Sequence, residues 1–166
     1  VALDTTIGGV ASDSYVTQAE FLAYASAMGR TITTETAASA FEPTLRRAAR
    51  VIDDQSAFRG QQTYQHQALS WPRAYVGYVD GWDVRSDTIP ADIKRAQMEM
   101  ALAMLEGVDP FPVTLGVIGE ESSSIGPLSK TVTYLGGKGR PVIPAVDRIL
   151  LPYLTAGSSV SVVMRA

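Results

Sequence analysis

Between Pro90 and Gly107 the chain carries a helical stretch that is apolar on nearly every side. Ile93, Gln97, Met100 and Met104 share one face at helical spacing, and Ala96, Met98, Ala101, Leu102, Ala103 and Leu105 cover most of the rest. Beyond Gln97 only Glu99 and Glu106 interrupt it. A helix that is apolar all round has to be covered all round. It is either the centre of its own domain or a surface shared with a neighbouring subunit. Pro90 suits its first turn and Gly107 its stop, which predicts a helix over 90–106.

Other segments offer candidates to cover it. Thr17-Gln18-Ala19-Glu20 has the form of a capping box. Phe21, Leu22, Tyr24, Ala25 and Met28 follow at helical spacing, and Gly29 suits a C′ position, so a helix is predicted over 18–28. Arg30 to Ser39 reads as a Thr-rich connection. Pro43 then suits the first turn of a second helix, with Phe41, Leu45, Ala48 and Ile52 as its inner stripe and an end between Gln55 and Gly60. Ala145 to Leu154 predicts a short helix that kinks or ends at Pro152. Val113 to Ile118 and Thr131 to Leu135 are rich in β-formers around a polar, glycine-containing segment, which predicts a long hairpin. Gln61 to Thr88 shows few regular signals but holds both tryptophans with Tyr64, Tyr75 and Tyr78. A connection of that length is functional or is packed down by its own aromatics, and the second is favoured. Trp71, between Leu69 and Pro72, reads as a buried anchor.

At 166 residues and 46% hydrophobic content the chain fits one globular domain. It has no cysteine, which excludes disulfides and thiolate zinc sites and fits a reducing compartment. No apolar run approaches the roughly 18 residues of a membrane span, and the acidic Val1–Gly9 does not read as a signal peptide. His66 is the only histidine and has no partner at a recognisable catalytic spacing, so a loop histidine is the expectation. Asp80, Asp83 and Asp87 lack the glycine and the terminal glutamate of a calcium loop, and turn formation explains them better. Gly136-Gly137-Lys138-Gly139-Arg140 lacks phosphate-loop spacing and reads as a basic linker. No nucleophile elbow, zincin or dinucleotide motif is present, and neither an enzyme nor a cofactor is expected.

Charge gives one further candidate. The chain is acidic overall at −3, yet Arg46, Arg47, Arg50 and Arg59 cluster in one segment. With Phe58, Tyr64 and Trp71 nearby they form a candidate single-stranded nucleic-acid platform of cations and stacking rings. Such a platform predicts steeply salt-dependent binding through Arg46, Arg47 and Arg50. The plainer expectation is a solvated arginine face paired with Asp53 and Asp54, and that one is favoured.

The ordered segments Arg46–Asp54 (RRAARVIDD), Gln67–Arg73 (QALSWPR) and Ile89–Ala96 (IPADIKRA), after an opening Asp13-Ser14-Tyr15-Val16-Thr17 with Glu20, resemble one family. It is that of the small head–tail connector (adaptor) proteins of tailed bacteriophages, part of which is labelled DnaT-like single-stranded-DNA-binding protein. The resemblance runs from about Tyr15 to Ala166. It implies a mainly α fold: an antiparallel bundle of about four helices with an inserted β-hairpin and extended N- and C-terminal arms. The parts would be an arm over 1–14, a helical core over 15–112, a hairpin over 113–140, a helix over 144–154 and an arm over 158–166. It further implies a structural protein of the virion neck, made in the bacterial host cytoplasm. Copies would form a ring of about twelve beneath the portal, extend the DNA channel without gripping DNA, and offer a platform to the next neck or tail protein. Ser158, Val160, Val162, Val163, Met164 and Arg165 would then dock on the portal, and Met98, Leu102 and Leu105 would serve the ring interface. The alternative is a single-stranded-DNA-binding accessory protein of replication, using Arg46, Arg47 and Arg50.

Overall fold

The computed structural model describes residues 2–30, 32, 34–110, 117–124, 129–135 and 143–155. Over these residues the protein is mainly helical, with four α-helices and small antiparallel strand pairs. Helix α1 spans Gln18–Ala27. The capping box is formed. Glu20 N–H donates to Thr17 Oγ1 at 3.2 Å, and Thr17 N–H donates to Glu20 Oε2 at 2.7 Å. Phe21 and Ala25 form its inner face.

Helix α2 spans Thr34–Gln55 and begins well before the start that Pro43 had implied. Glu35, Ala37, Ala38 and Ala40 are good helix formers. A proline inside the helix deletes one backbone donor without preventing the turns on either side. The inner stripe is wider than predicted: Phe41, Leu45, Ala48, Ala49, Val51 and Ile52 are all buried.

Helix α3, Ala91–Leu105, packs against α1, α2 and α4, the last spanning Pro144–Leu150. Of the two placements open to an all-round apolar helix, the central one is realised within the chain. Ile93, Ala96, Met100, Ala101 and Leu102 are buried, and Gln97 lies fully buried among them. Gln97 is fully bonded. Its Oε1 accepts from Tyr15 N–H at 2.9 Å, and its Nε2 donates to Ser14 Oγ and to Leu45 O, both at 2.8 Å. One amide thus joins the segment before α1, α2 and α3. Gln97→Leu keeps the volume but strands the buried Tyr15 N–H. It is expected to cost about 1–3 kcal/mol, read as a lower urea midpoint, whereas an unchanged midpoint would mean another acceptor takes over.

Helix α4 passes into a 3₁₀ turn over Leu151–Tyr153, the point at which Pro152 was expected to end it. Residues 2–14, expected as an arm, fold back on themselves. Asp13 N–H donates to Asp4 O and Asp4 N–H to Asp13 Oδ1, each at 2.9 Å, and Ser12 and Ser14 are buried. Residues 108–142 form a compact unit of their own. In it, strands Val117–Ser124 and Ser129–Leu135 pair antiparallel, Val117 opposite Leu135 and Ser124 opposite Ser129. The ladder runs through Glu120–Ser124, part of the polar segment expected between the strands. Ladder bonds join backbones, so polar side chains do not end them. Among the described residues no helix is long and apolar enough to cross a membrane.

Candidate nucleic-acid interface

The segment between α2 and α3 is held down by a buried anchor. Trp71 is 1% exposed and meets two rings edge-on, Phe58 at 5.5 Å and Tyr153 at 5.6 Å. Its peptide bond to Pro72 is cis. Arg73 clamps the loop from within. Its guanidinium donates to Arg59 O at 2.8 Å, Gly60 O at 2.7 Å and Ser70 O at 3.3 Å. Gly60, at φ +72°, lets two backbone stretches touch, since a Cβ there would lie 2.2 Å from Ala74 O. Two short strands, Gln61–Gln62 (β1) and Arg73–Ala74 (β2), close the loop antiparallel.

A second bond set ties the loop to α2. Tyr15 Oη donates to Asp53 Oδ1 at 2.5 Å, Ser70 N–H donates to Asp53 Oδ2 at 2.8 Å, and Trp71 N–H donates to Tyr15 Oη at 3.2 Å. Burial pushes the Asp53 carboxyl up to about 6, against the opposing bonds from Tyr15 and Ser70. An unfolded aspartate titrates near 3.9. The folded state therefore binds this proton more tightly, and the stability it contributes is full below about pH 4 and is lost as pH rises through about 6. Asp53→Asn keeps an acceptor and cannot titrate. The stability of the natural protein relative to Asp53→Asn should rise between pH 7 and pH 4.5 in urea melts. A constant difference would count against the shift. Asp4, Glu20 and Asp87, whose pKa values are lowered, lose stability in acid, so the difference between the two proteins is the readout.

On this scaffold stands a hairpin, Tyr78–Val79 (β3) and Trp82–Asp83 (β4), with Tyr78 opposite Asp83 and Val79 opposite Trp82. Asp80 and Gly81, at φ 50° and 83°, form the two-residue turn whose twist matches antiparallel strands. Arg59 Nη2 donates to Tyr78 O at 3.5 Å and also to Pro152 O, fixing the hairpin root. Thr63 Oγ1 donates to Ser86 O at 2.6 Å on the return path. The hairpin region displays rings to solvent: Tyr75 is 84% exposed, Tyr78 71% and Trp82 80%, with Tyr64 at 46%. The sequence carries a signal for this element. Asp80-Gly81 between Tyr-Val and Trp-Asp is the strongest short-range hairpin mark. Asp80 thus fulfils the turn-forming expectation, here as the first residue of the hairpin turn. Among the described residues no three acidic or histidine side chains gather as a metal site.

Arg46 Nε lies 2.5 Å from Asp13 Oδ2, and its Nη2 donates to Ala2 O at 3.1 Å. Arg47 is exposed, and Arg50 pairs with Asp54 at 3.3 Å on the α2 surface. Asp53 does not join that pairing because it turns inward to Tyr15. Phe58 and Trp71 are buried and present no stacking face, so of the three rings proposed beside the arginines Tyr64 alone is exposed. Met98 is half-buried, Leu102 is buried, and the exposed Leu105 borders an open depression of about 340 Å³ with Arg30 and Glu106, which are ion-paired. Ser158, Val160, Val162, Val163, Met164 and Arg165, and the linker Gly136–Arg140, lie outside the described residues. His66 is exposed.

A family model described as "Putative DnaT-like ssDNA binding protein" matches residues 1–166. Comparison with curated proteins and with solved structures returns no match. This finding overturns the connector expectation. The matched family is described as DnaT-like ssDNA binding, which conflicts with a portal partner and with DNA that passes without being bound. The ring of twelve, the neck platform and the virion location had the same resemblance as their source and have no other support. The physical reason lies in what the residues that carry the resemblance do. Ile52, Asp53, Trp71, Pro72 and Arg73, which carried the resemblance, build the core and its clamps. Such residues report a scaffold, and one scaffold serves several functions. The chain belongs to the DnaT-like single-stranded-DNA-binding family.

Proposed function

We propose that this protein binds single-stranded DNA through the exposed rings of its hairpin region and acts as a non-catalytic accessory protein of replication. The observation that carries the proposal is the display of Tyr75, Tyr78 and Trp82 on a loop pinned to the core. Large rings left in water on a held backbone are poor for stability and good for stacking. Unpaired bases offer their faces to such rings, whereas duplex bases are already stacked on each other. In this proposal the helices form an antiparallel bundle that serves as the rigid base.

Electrostatics set the expected character of the binding. Arg59 and the exposed Arg85 are the cations of the hairpin region, and Arg85 is forked to Asp87 at 3.0 and 2.6 Å. Arg46 and Arg50 are held by carboxylates, so the steep salt dependence expected of the α2 arginines is replaced by a shallow one. Neutralising about one or two phosphates gives a logarithmic salt slope on the order of −1. The test is a titration of tryptophan fluorescence with oligo(dT) and with a duplex of equal length, from low to physiological salt. Quenching by oligo(dT) with a shallow slope and a weaker response to duplex supports the proposal. Equal binding of duplex, or no response to oligo(dT) at low salt, overturns it.

A further inference from the structure

Cross-strand partners in a hairpin project to the same side. One side of this hairpin therefore carries Tyr78 with Asp83, and the other Val79 with Trp82. Val84 N–H donates to Gly77 O at 3.1 Å. That makes 77 and 84 the hydrogen-bonded pair and places Tyr78 and Asp83 at a non-hydrogen-bonded position. There side chains stand closest, with Cβ atoms roughly 4.5–5.5 Å apart. Both are exposed. Asp87 nearby is neutralised by Arg85, but the Asp83 carboxylate makes no ion pair or hydrogen bond among the described residues.

A free carboxylate beside a stacking ring is ill suited to gripping phosphate, because it repels the backbone. It is well suited to reading a base edge. Both of its oxygens accept and neither donates. A base stacked on Tyr78 brings its edge within reach of Asp83. Guanine offers two adjacent donors on its pairing edge, N1–H and N2–H, which match the two oxygens as a guanidinium fork does. Cytosine and adenine each offer one amino group beside an acceptor nitrogen that a carboxylate repels. Thymine offers one N–H flanked by two carbonyls. We infer that the Tyr78–Asp83 pair is a base-reading site with a preference for guanine in single-stranded DNA. The ring supplies stacking that any base can use, and the carboxylate supplies the choice. This rests on the hairpin being the DNA-binding element proposed above.

The experiment titrates the intact protein and Asp83→Asn with short thymidine oligonucleotides carrying a single central dG, dA, dC or dT, which cannot form quadruplexes. In the natural protein the dG oligonucleotide should bind about tenfold tighter than the all-dT one, with dA and dC between. In Asp83→Asn that ratio should fall close to one, while all-dT binding is kept or strengthened. Equal affinity for all four in the natural protein overturns the inference and leaves DNA binding by the hairpin standing. So does an Asp83→Asn variant that binds all four more tightly by one common factor, since the carboxylate then only repels phosphate. Failure of every oligonucleotide to bind the natural protein overturns the DNA-binding proposal itself, and the base-reading site with it.

Discussion

Trp71→Ala is expected to lower stability by about 3–5 kcal/mol, measured as a fall in urea midpoint with little change in slope. Trp71 is the largest fully buried side chain among the described residues, and it touches Phe58 and Tyr153 edge-on. Each such ring pair contributes about 0.5–1.5 kcal/mol beyond its buried area. A small domain has only about 5–15 kcal/mol in total, so the variant loses a large share of it. The loss comes from packing. Among the described residues the indole Nε1 has no hydrogen-bond partner, so none is broken there. Trp71→Phe should accordingly cost clearly less, because it keeps a ring between Phe58 and Tyr153 and removes the lone N–H. A midpoint unchanged in Trp71→Ala would mean that this residue is not the anchor of the loop.

The second tryptophan should behave in the opposite way. Trp82→Ala and Tyr78→Ala are each expected to weaken oligo(dT) binding roughly 5- to 30-fold, the lower part of the range for loss of one ring–base stack. Both side chains stand in solvent, so the unfolding free energies from urea melts should stay within about 0.5 kcal/mol of the natural protein. They lie on opposite sides of the hairpin. If a strand wraps the hairpin and stacks on both, the double variant should lose about the product of the two factors. If each ring takes a base from a different strand, the double variant changes stoichiometry instead. Unimpaired binding by the double variant would move the DNA site away from the hairpin. Tryptophan fluorescence separates the two roles directly, because Trp82 is open to quenching by bases and Trp71 is not.

The helices were legible because their signals are local. The Thr17–Glu20 box, the Pro90 and Gly107 bounds and the Phe41-to-Ile52 stripe all lie within single turns or single faces. The start of α2 is not legible in the same way, because Pro43 mimics a helix boundary while the alanine-rich stretch before it favours helix. The hairpin ladder over 117–135 extended further than side-chain polarity implied, since its bonds are backbone bonds. The functional surface was the least legible. Trp71 reads as an anchor from its neighbours Leu69 and Pro72, but Phe58, Tyr64, Tyr75, Tyr78 and Trp82 are the same kind of residue in a sequence, and no local pattern says which of these rings is buried and which is platform.

By itself, then, the sequence determined where the helices lie apart from the start of α2, that Trp71 is buried and that α3 needs cover on every side. These follow from propensity, capping and periodicity, which act within a few residues. Only the tertiary structure decided that α3 is central within the chain, that Arg46 turns to Asp13 and Asp53 to Tyr15, and that Tyr75, Tyr78 and Trp82 are left in water. Those outcomes depend on distant partners, such as Gln97 with Ser14, 83 residues apart, and Arg59 with Pro152, 93 residues apart, and on competition for a limited interior. A ring goes inside or stays outside according to the volume that the other elements leave, and that volume exists only once the chain has folded.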